Sequence, residues 1–227
     1  MYWDDYGYLL SKNKFSENSV IAEIFTENHG KISGIIYGAS SKKIRNYLQI
    51  GNKFHVNYNL KNESKLGYLK IEIDQILSPQ FFDDRKKLSC ILSSISLVKS
   101  LTVENQTNSN IYFLLNNFYD FLGSTNWLTD LIFWELNLLK ILGYDLELKK
   151  IVNKEIIDGK KLYFVSEKNI KRYVNNFLVE KNFNETNFDN VLNGFKLVSD
   201  YMDKSIFKPN NINHPKSRIE FLNILKE

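Results

Sequence analysis

The sequence predicts an α+β protein with a small five-stranded β-barrel at its N-terminus, followed by an all-helical domain that carries a small irregular or strand-like insertion. Up to about residue 75, apolar residues alternate with a period of two, as they do in half-buried strands. After Ser78-Pro79 the period lengthens to about three and a half, which is typical of amphipathic helices. A length of 227 residues suits two small domains, and we place them at residues 1–78 and 79–227.

Five segments have the composition and the alternation of strands. The fourth shows the alternation best, because Phe54, Val56 and Tyr58 fall on one face. Asn28-His29-Gly30 separates the second and third segments, and it suits a tight turn because Asn and Gly tolerate positive φ. We therefore interpret His29 as a turn residue. Five short strands suit an OB-fold, a small barrel that often binds oligonucleotides. The predicted strands are residues 6–11, 19–26, 31–37, 53–60 and 67–76.

The second domain has helical spacing of apolar residues. The third helix is apolar on most of its surface, which predicts a central position, and Gly143 suits a left-handed C-cap. The insertion spans about residues 146–165 and contains a turn at Asp158-Gly159. The predicted helices are residues 81–101, 111–122, 127–142, 166–178, 186–202 and 215–225.

Several classes of protein are disfavoured. No apolar run approaches the roughly 20 residues that span a bilayer, and the acidic start differs from a signal peptide, so we expect a cytoplasmic protein. The single cysteine, Cys90, can form neither an internal disulfide nor a multi-cysteine metal site. There is no phosphate-binding Gly-rich loop, nucleophile elbow or paired-histidine motif. We therefore expect no enzyme and no cofactor.

The positive charge is concentrated in the barrel segment. Six Lys or Arg residues and no acidic residue lie between Glu27 and Glu63, which predicts a surface that attracts phosphate. Small residues before Lys42 would let a DNA backbone approach closely. Among the aromatic residues we expect Phe54 inside and one tyrosine exposed to a base. The candidate DNA-binding residues are Lys31, Lys42, Lys43, Arg45, Lys53, Tyr37 and Tyr47, and Lys61 belongs to the same basic segment.

The order and spacing of several short motifs resemble those of RecO proteins. In the N-terminal half these are GYLLS at residues 7–11, FTENHGK at 25–31, YGASSKK at 37–43 and LQIGN at 48–52. They continue with WELNLL at 134–139, LGY at 142–144 and YFVS at 163–166. The resemblance extends to about residue 170 and is weak beyond it.

The resemblance implies a nucleoid-associated protein that binds single- and double-stranded DNA and anneals complementary strands. It also implies that the protein engages the C-terminal tail of the single-strand binding protein and works with RecR, so that RecA can load onto the DNA. Many RecO proteins carry a four-cysteine zinc element after the central helix. Residues 146–162 contain no cysteine, so zinc is not expected.

The tail of the single-strand binding protein, as the resemblance implies, ends in an acidic stretch and a phenylalanine. Such a ligand needs an apolar pocket that is rimmed by cations and holds the terminal carboxylate. We expect this pocket in the helical domain. The candidate region comprises Lys140, Lys149, Lys150, Lys171 and Arg172.

Two alternatives remain open at this stage. An OB-fold can bind only protein partners, because a fold does not fix a function. A metal-dependent nuclease would need clustered carboxylates, and adjacent pairs such as Asp83-Asp84 point apart on a helix or strand. The nuclease is therefore the weaker alternative.

Overall fold

The computed structural model describes residues 1–60, 66–167, 170–181 and 187–227. The chain forms two compact units, one of Met1–Leu122 with His214–Glu227 and one of Gly123–Asn213. The domain boundary between residues 78 and 79 falls inside the first unit. It stays a prediction about which part of the chain folds independently.

Within the described residues, five strands close a barrel, as the sequence predicts for an OB-fold. Neighbouring strands follow the order β1-β2-β3-β5-β4. Leu9, Ile24, Phe54 and Val56 are fully buried in its core. A short helix, α1 (Lys42–Tyr47), connects β3 to β4. The strands are β1 (Tyr2–Ser16), β2 (Ser19–Thr26), β3 (Gly30–Tyr37), β4 (Lys53–Asn59) and β5 (Gly67–Gln75).

The barrel closes where β3 and β5 run parallel. Gly34 pairs with Gly67, and Ile35 pairs with Tyr68. A Cβ atom on Gly67 would lie 2.3 Å from the ring of Tyr58, and one on Gly34 would lie 2.6 Å from the Leu69 side chain. Both positions therefore need glycine, because the space of a side chain is already occupied.

Further helices complete the first unit. They are α2 (Arg85–Leu101), α3 (Ser109–Asn116), α4 (Phe118–Leu122) and the C-terminal helix (Lys216–Ile224), which packs against α2. Asp84 caps α2 by accepting from the backbone nitrogen of Lys87 at 3.0 Å. The hydroxyl of Tyr119 donates to the carbonyl of Gly51 at 2.7 Å, which ties α4 to the barrel.

The second unit combines helices with a small sheet. Its central helix is α5 (Trp127–Ile141), and Gly143 beyond it has a φ of +88°, which confirms the predicted left-handed C-cap. Strands β6, β7 and β8 form an antiparallel sheet in that order. The remaining described elements are α6 (Leu148–Ile151), β6 (Asn153–Ile157), β7 (Lys160–Glu167), β8 (Ile170–Val174), α7 (Asn176–Glu180), α8 (Phe188–Met202) and a π-helical turn (Asp203–Phe207).

The helix predicted for residues 166–178 is wrong. Strand β7 continues to Glu167, Ile170–Val174 forms β8, and helix begins only at Asn176. Val174 pairs with Tyr163, and both side chains are buried. The free energy gained by this pairing and burial outweighs the weak helical pattern of the segment. The predicted start of the next helix, at residue 186, lies outside the described residues.

A buried carboxylate holds the turn between β2 and β3. Asp5 is 4% exposed and accepts from the backbone nitrogens of Tyr6 and Asn28, each at 2.8 Å. It also pairs with Nδ1 of His29 at 2.9 Å. His29 lies in the turn itself, which confirms its prediction as a turn residue. Burial raises the pKa of Asp5, but the hydrogen bonds from His29, Asn28 and Tyr6 outweigh it and hold the pKa below its ordinary value.

We predict that Gly30→Ala lowers the free energy of unfolding by about 3 kcal/mol or more. Gly30 has a φ of +68°, and a Cβ atom there would lie 2.0 Å from the carbonyl oxygen of Gln106. Gly38→Ala is the control, because its φ is +70° but the nearest atom, on Ile44, is 3.8 Å away. Urea denaturation measures both variants, and equal losses would show that backbone conformation alone requires Gly30.

We predict that Asp5→Asn lowers the free energy of unfolding by about 2 kcal/mol near pH 7. Because the pKa of Asp5 is lowered in the folded state, its stabilisation is complete above the ordinary value of 3.8 and is lost as the pH falls through the folded-state pKa. The variant and the wild type should therefore converge in acid. Urea denaturation between about pH 3 and pH 7 measures the difference, and a constant difference would contradict the prediction.

Candidate nucleic-acid interface and partner pocket

The loop after β3 presents the predicted basic residues to solvent. Gly38 has a φ of +70° and lets the chain turn away from the barrel. The Ser41 side chain accepts from the backbone nitrogen of Ile44 at 3.4 Å, and this capping bond begins α1. The turn and the cap place three exposed cations on one short helix: Lys42, Lys43 and Arg45.

Exposed tyrosines lie on the same side of the barrel as α1. Tyr37 at the end of β3 is 59% exposed and stacks on Tyr68 of β5, with ring centroids 5.5 Å apart. Together with Tyr2, which is 70% exposed, they line a groove of about 550 Å³ that we call the tyrosine groove. Its other lining residues are Ile36, Ile44, Asn57, Asn59, Leu69, Lys70 and Ile71.

The tyrosine groove joins aromatic rings to cations. Ile44 of α1 and Lys70 of β5 both line it, and Lys43 and Arg45 are the sequence neighbours of Ile44. An aromatic groove with cations nearby can stack bases and attract phosphate without reading their sequence. Sequence reasoning overlooked Tyr2, Tyr68 and Lys70, although the alternation in β5 already places Tyr68 and Lys70 opposite the apolar Leu69.

The prediction that Phe54 lies inside the barrel is confirmed, whereas the contact of a tyrosine with a base stays a prediction. Phe54 is fully buried, whereas Tyr37 is the exposed tyrosine of the candidates. Tyr47 is half-buried and packs against Phe54, with ring centroids 6.1 Å apart. Tyr47 therefore has more contact with the core than with solvent.

Lys31 lies in a different environment from the exposed cations of α1, and its predicted contact with DNA stays a prediction. Its side chain is buried, and its ammonium donates to the carbonyls of Lys99, at 2.8 Å, and Thr102. Burial lowers the pKa of Lys31, while Glu23 and Glu104 act in the opposite direction. The helix end that supplies these acceptors lies about seventy residues away in the sequence, so a charge count along the chain could not reveal it.

Lys53 is also held inside a cluster. Its side chain is 14% exposed, and its ammonium lies 3.8 Å from the carboxylate of Asp74. The same ammonium lies 5.5 to 5.8 Å from the ring centroids of Tyr6, Tyr8 and Tyr112. These contacts hold the Lys53 ammonium against side chains of the first unit, unlike the exposed cations of α1. Lys61, the remaining cation of the basic segment, lies outside the described residues.

A pocket in the second unit combines an apolar lining with lysines. It has a volume of about 720 Å³, with Lys140, Lys149 and Lys150 on its rim. Lys181 also lines it and was not anticipated. We call this cavity the tail pocket. Its apolar lining consists of Phe133, Leu136, Leu146, Leu148, Leu178 and Val179.

Two rim cations of the tail pocket have acidic neighbours. The ammonium of Lys150 lies 2.6 Å from the carboxylate of Glu147, and that of Lys140 lies 3.5 Å from Asp145. The hydrogen bond that the Lys150 ammonium donates to Glu147 raises the pKa of Lys150 above its ordinary value. The other predicted tail-binding residues, Lys171 and Arg172, lie on β8 and are not among the described residues that line the pocket.

The described residues show neither a metal cluster nor a membrane-spanning helix. No group of three or more His, Cys, Asp or Glu side chains in those ranges could hold a metal ion. No helix in them is long and apolar enough to cross a bilayer.

Comparison with known proteins gives consistent matches along the chain. The family model "Recombination protein O N terminal" matches residues 1–75, and "Recombination protein O C terminal" matches residues 83–203. A protein of Rickettsia canadensis, named DNA repair protein RecO, is 34% identical over 72% of this chain and 67% of its own length. A protein of the same name from Wolbachia pipientis wMel is 26% identical over 96% of this chain and 98% of its own. One from Rhodospirillum centenum is 22% identical over 98% and 94%, respectively.

Proposed function

Because this chain belongs to the RecO family of DNA repair proteins, we propose that it is a non-enzymatic recombination mediator that binds DNA through the tyrosine groove and helix α1. In this role it binds single- and double-stranded DNA and anneals complementary strands. With RecR, it helps RecA to load onto DNA that is coated by the single-strand binding protein. The protein would act at the nucleoid in the cytoplasm.

The stack of Tyr37 on Tyr68 beside the cations of α1 carries the proposal. Both rings are open to solvent on at least one side, since Tyr37 is 59% and Tyr68 36% exposed. Each stacked base contributes about 1 to 3 kcal/mol of binding free energy, and any base can stack. Lys42, Lys43 and Arg45 add attraction to phosphate, which makes the affinity depend on salt. This chemistry suits a protein that must bind strands of any sequence.

The tail pocket supports the proposed contact with the single-strand binding protein. An apolar cavity of about 720 Å³ is large enough for an aromatic side chain with part of the peptide that carries it. Lysines on its rim can bind the terminal carboxylate and the acidic residues before it. This arrangement favours a peptide that ends in an aromatic residue with a free carboxylate.

We predict that the variant Lys42→Glu, Lys43→Glu, Arg45→Glu binds a labelled single strand at least about tenfold more weakly than the wild type. Its plot of log affinity against log salt should flatten by about two units, because fewer phosphates are contacted. Fluorescence anisotropy across a salt series measures both quantities. The matched control is Lys14→Glu, Lys86→Glu, Lys226→Glu, which changes the charge equally on exposed residues elsewhere in the first unit.

Comparison of the two triple variants separates a specific contact between α1 and DNA from a general effect of charge. If both triple variants weaken binding alike, α1 is not a DNA contact. If the wild type itself shows no salt-dependent binding, the alternative of an OB-fold that binds only proteins becomes the better account. Tyr37→Ser with Tyr68→Ser should weaken binding while the salt slope stays unchanged, because stacking releases no counterions.

We predict that Lys140→Ser with Lys149→Ser weakens binding of an acidic peptide ending in phenylalanine by about tenfold. The control is Lys171→Ser with Arg172→Ser, which removes two cations outside the tail pocket and should leave the affinity unchanged. Isothermal titration calorimetry with a free-acid peptide and its C-terminal amide measures the contribution of the carboxylate. Equal losses in the two variants would place the tail elsewhere.

A further inference from the structure

A second cationic segment lies in the second unit. Residues 148–174 contain eight Lys or Arg residues and three Asp or Glu residues, a net charge of +5, whereas the whole chain carries +4. This segment forms α6 and the sheet of β6, β7 and β8. Among the described cations of this segment, the tail pocket includes Lys149 and Lys150 alone. The sheet therefore carries positive charge that the proposed function does not explain.

The two faces of this sheet differ in burial. Residues directly opposite each other on antiparallel strands share a face, so Lys154, Tyr163 and Val174 lie on one side. Tyr163 and Val174 are buried on that side. The opposite side, which we call the outer face, has no buried residue among those the structure describes. Its main residues are Glu155, Ile157, Lys160, Leu162, Phe164, Lys171 and Tyr173.

The outer face combines aromatic rings with cations. Phe164 and Tyr173 meet edge to face with ring centroids 6.3 Å apart, and Tyr173 is 56% exposed. The ammonium of Lys171 lies 4.5 Å from the centroid of Phe164. The carboxylate of Glu155 accepts from Lys171 and, at 2.8 Å, from the Tyr173 hydroxyl. Glu155 thus holds an aromatic ring and a cation side by side.

We propose that the outer face binds a second single strand of nucleic acid, with bases against Phe164 and Tyr173 and phosphates near Lys160 and Lys171. Exposed aromatic and aliphatic side chains on a sheet give bases a flat apolar surface. Among its described residues the outer face carries Lys160 and Lys171 against Glu155, within a segment of net positive charge, which favours a polyanion over a neutral protein surface. Because this inference rests on the proposed function, it assigns one strand to the barrel and another to the sheet.

A second strand on the same molecule would explain how annealing is promoted. Two strands bound to one protein meet at a much higher effective concentration than two strands in solution. The lysines near each strand also reduce the repulsion between the two phosphate backbones. Each compact unit would then bind one of the two strands that anneal.

The test compares variants on the two faces of the sheet. Lys160→Ser with Tyr173→Ser removes one cation and one exposed ring from the outer face. The matched control, Lys154→Ser with Ile156→Ser, removes one cation and one apolar side chain that is 76% exposed from the opposite face. Lys160→Glu is a second outer-face variant that leaves the Phe164–Tyr173 contact in place. Native mass spectrometry counts oligothymidines of about ten nucleotides bound to each protein, and a fluorescence assay gives the annealing rate.

We expect the wild type and the matched control to bind two strands and each outer-face variant to bind one. The annealing rate of the outer-face variants should fall by about tenfold. The α1 triple variant should also bind one strand, because it keeps only the sheet surface. The inference would be overturned if the outer-face variants kept two strands and annealed at the normal rate. It would also be overturned if the outer-face variants and the matched control lost strand binding equally.

Other outcomes separate this inference from the proposed function. If the wild type binds one strand and the α1 triple variant binds none, the barrel interface stands and the second surface is refuted. A wild type that binds no strand refutes the proposed function itself. If the outer-face variants keep two strands but lose binding to purified RecR, the face docks a protein and the inference is wrong.

Discussion

The parallel contact between β3 and β5 is the constraint on which the barrel and its groove depend. Gly34 pairs with Gly67 there, and a side chain on Gly34 would collide with Leu69 of β5, so glycine allows β3 and β5 to approach and complete the barrel. The next pair along the strands joins Ile35 to Tyr68. This register places Tyr68 close enough to stack on Tyr37, two residues further along β3. The same closure that removes the sheet edges therefore also builds the aromatic surface.

Much of the fold could be predicted from the sequence because its strands and helices have distinct periods. Alternation located the five barrel strands, and the apolar surface of α5 indicated a central helix. Residues 166–178 were misassigned because short amphipathic segments fit either period, and only the pairing of β8 with β7 decides the outcome. The short helix α1 was missed because its six residues contain few apolar positions.

Only part of the candidate sites could be predicted from the sequence, because charge along the chain does not reveal which cations the fold buries. Charge along the chain indicated Lys42, Lys43 and Arg45 correctly as exposed cations. The same criterion included Lys31, whose ammonium is turned inward by contacts that only the folded chain creates. For the tail pocket, proximity in sequence grouped Lys149 with Lys171, whereas the structure places them on different elements. A cation belongs to a binding surface only if the fold leaves it accessible.

The position of Lys31 also links the barrel to the end of α2. The carbonyls of Lys99 and Thr102, which accept its ammonium, lie in the last turn of α2 and at its C-cap, where a helix leaves such groups without intrahelical partners. A cation at this end also offsets the partial negative charge of the helix dipole. Lys99 in turn extends from this last turn to form an ion pair with Glu23 of β2 at 2.5 Å. The barrel thus contributes Lys31 to the end of α2, and α2 contributes Lys99 to the barrel. Without α2, the ammonium of Lys31 would lack its carbonyl acceptors, and without the barrel, these carbonyls would lack that donor. A chain shortened to the five strands would keep its apolar core but lose the acceptors of a buried charge, so we expect the barrel and α2 to unfold together.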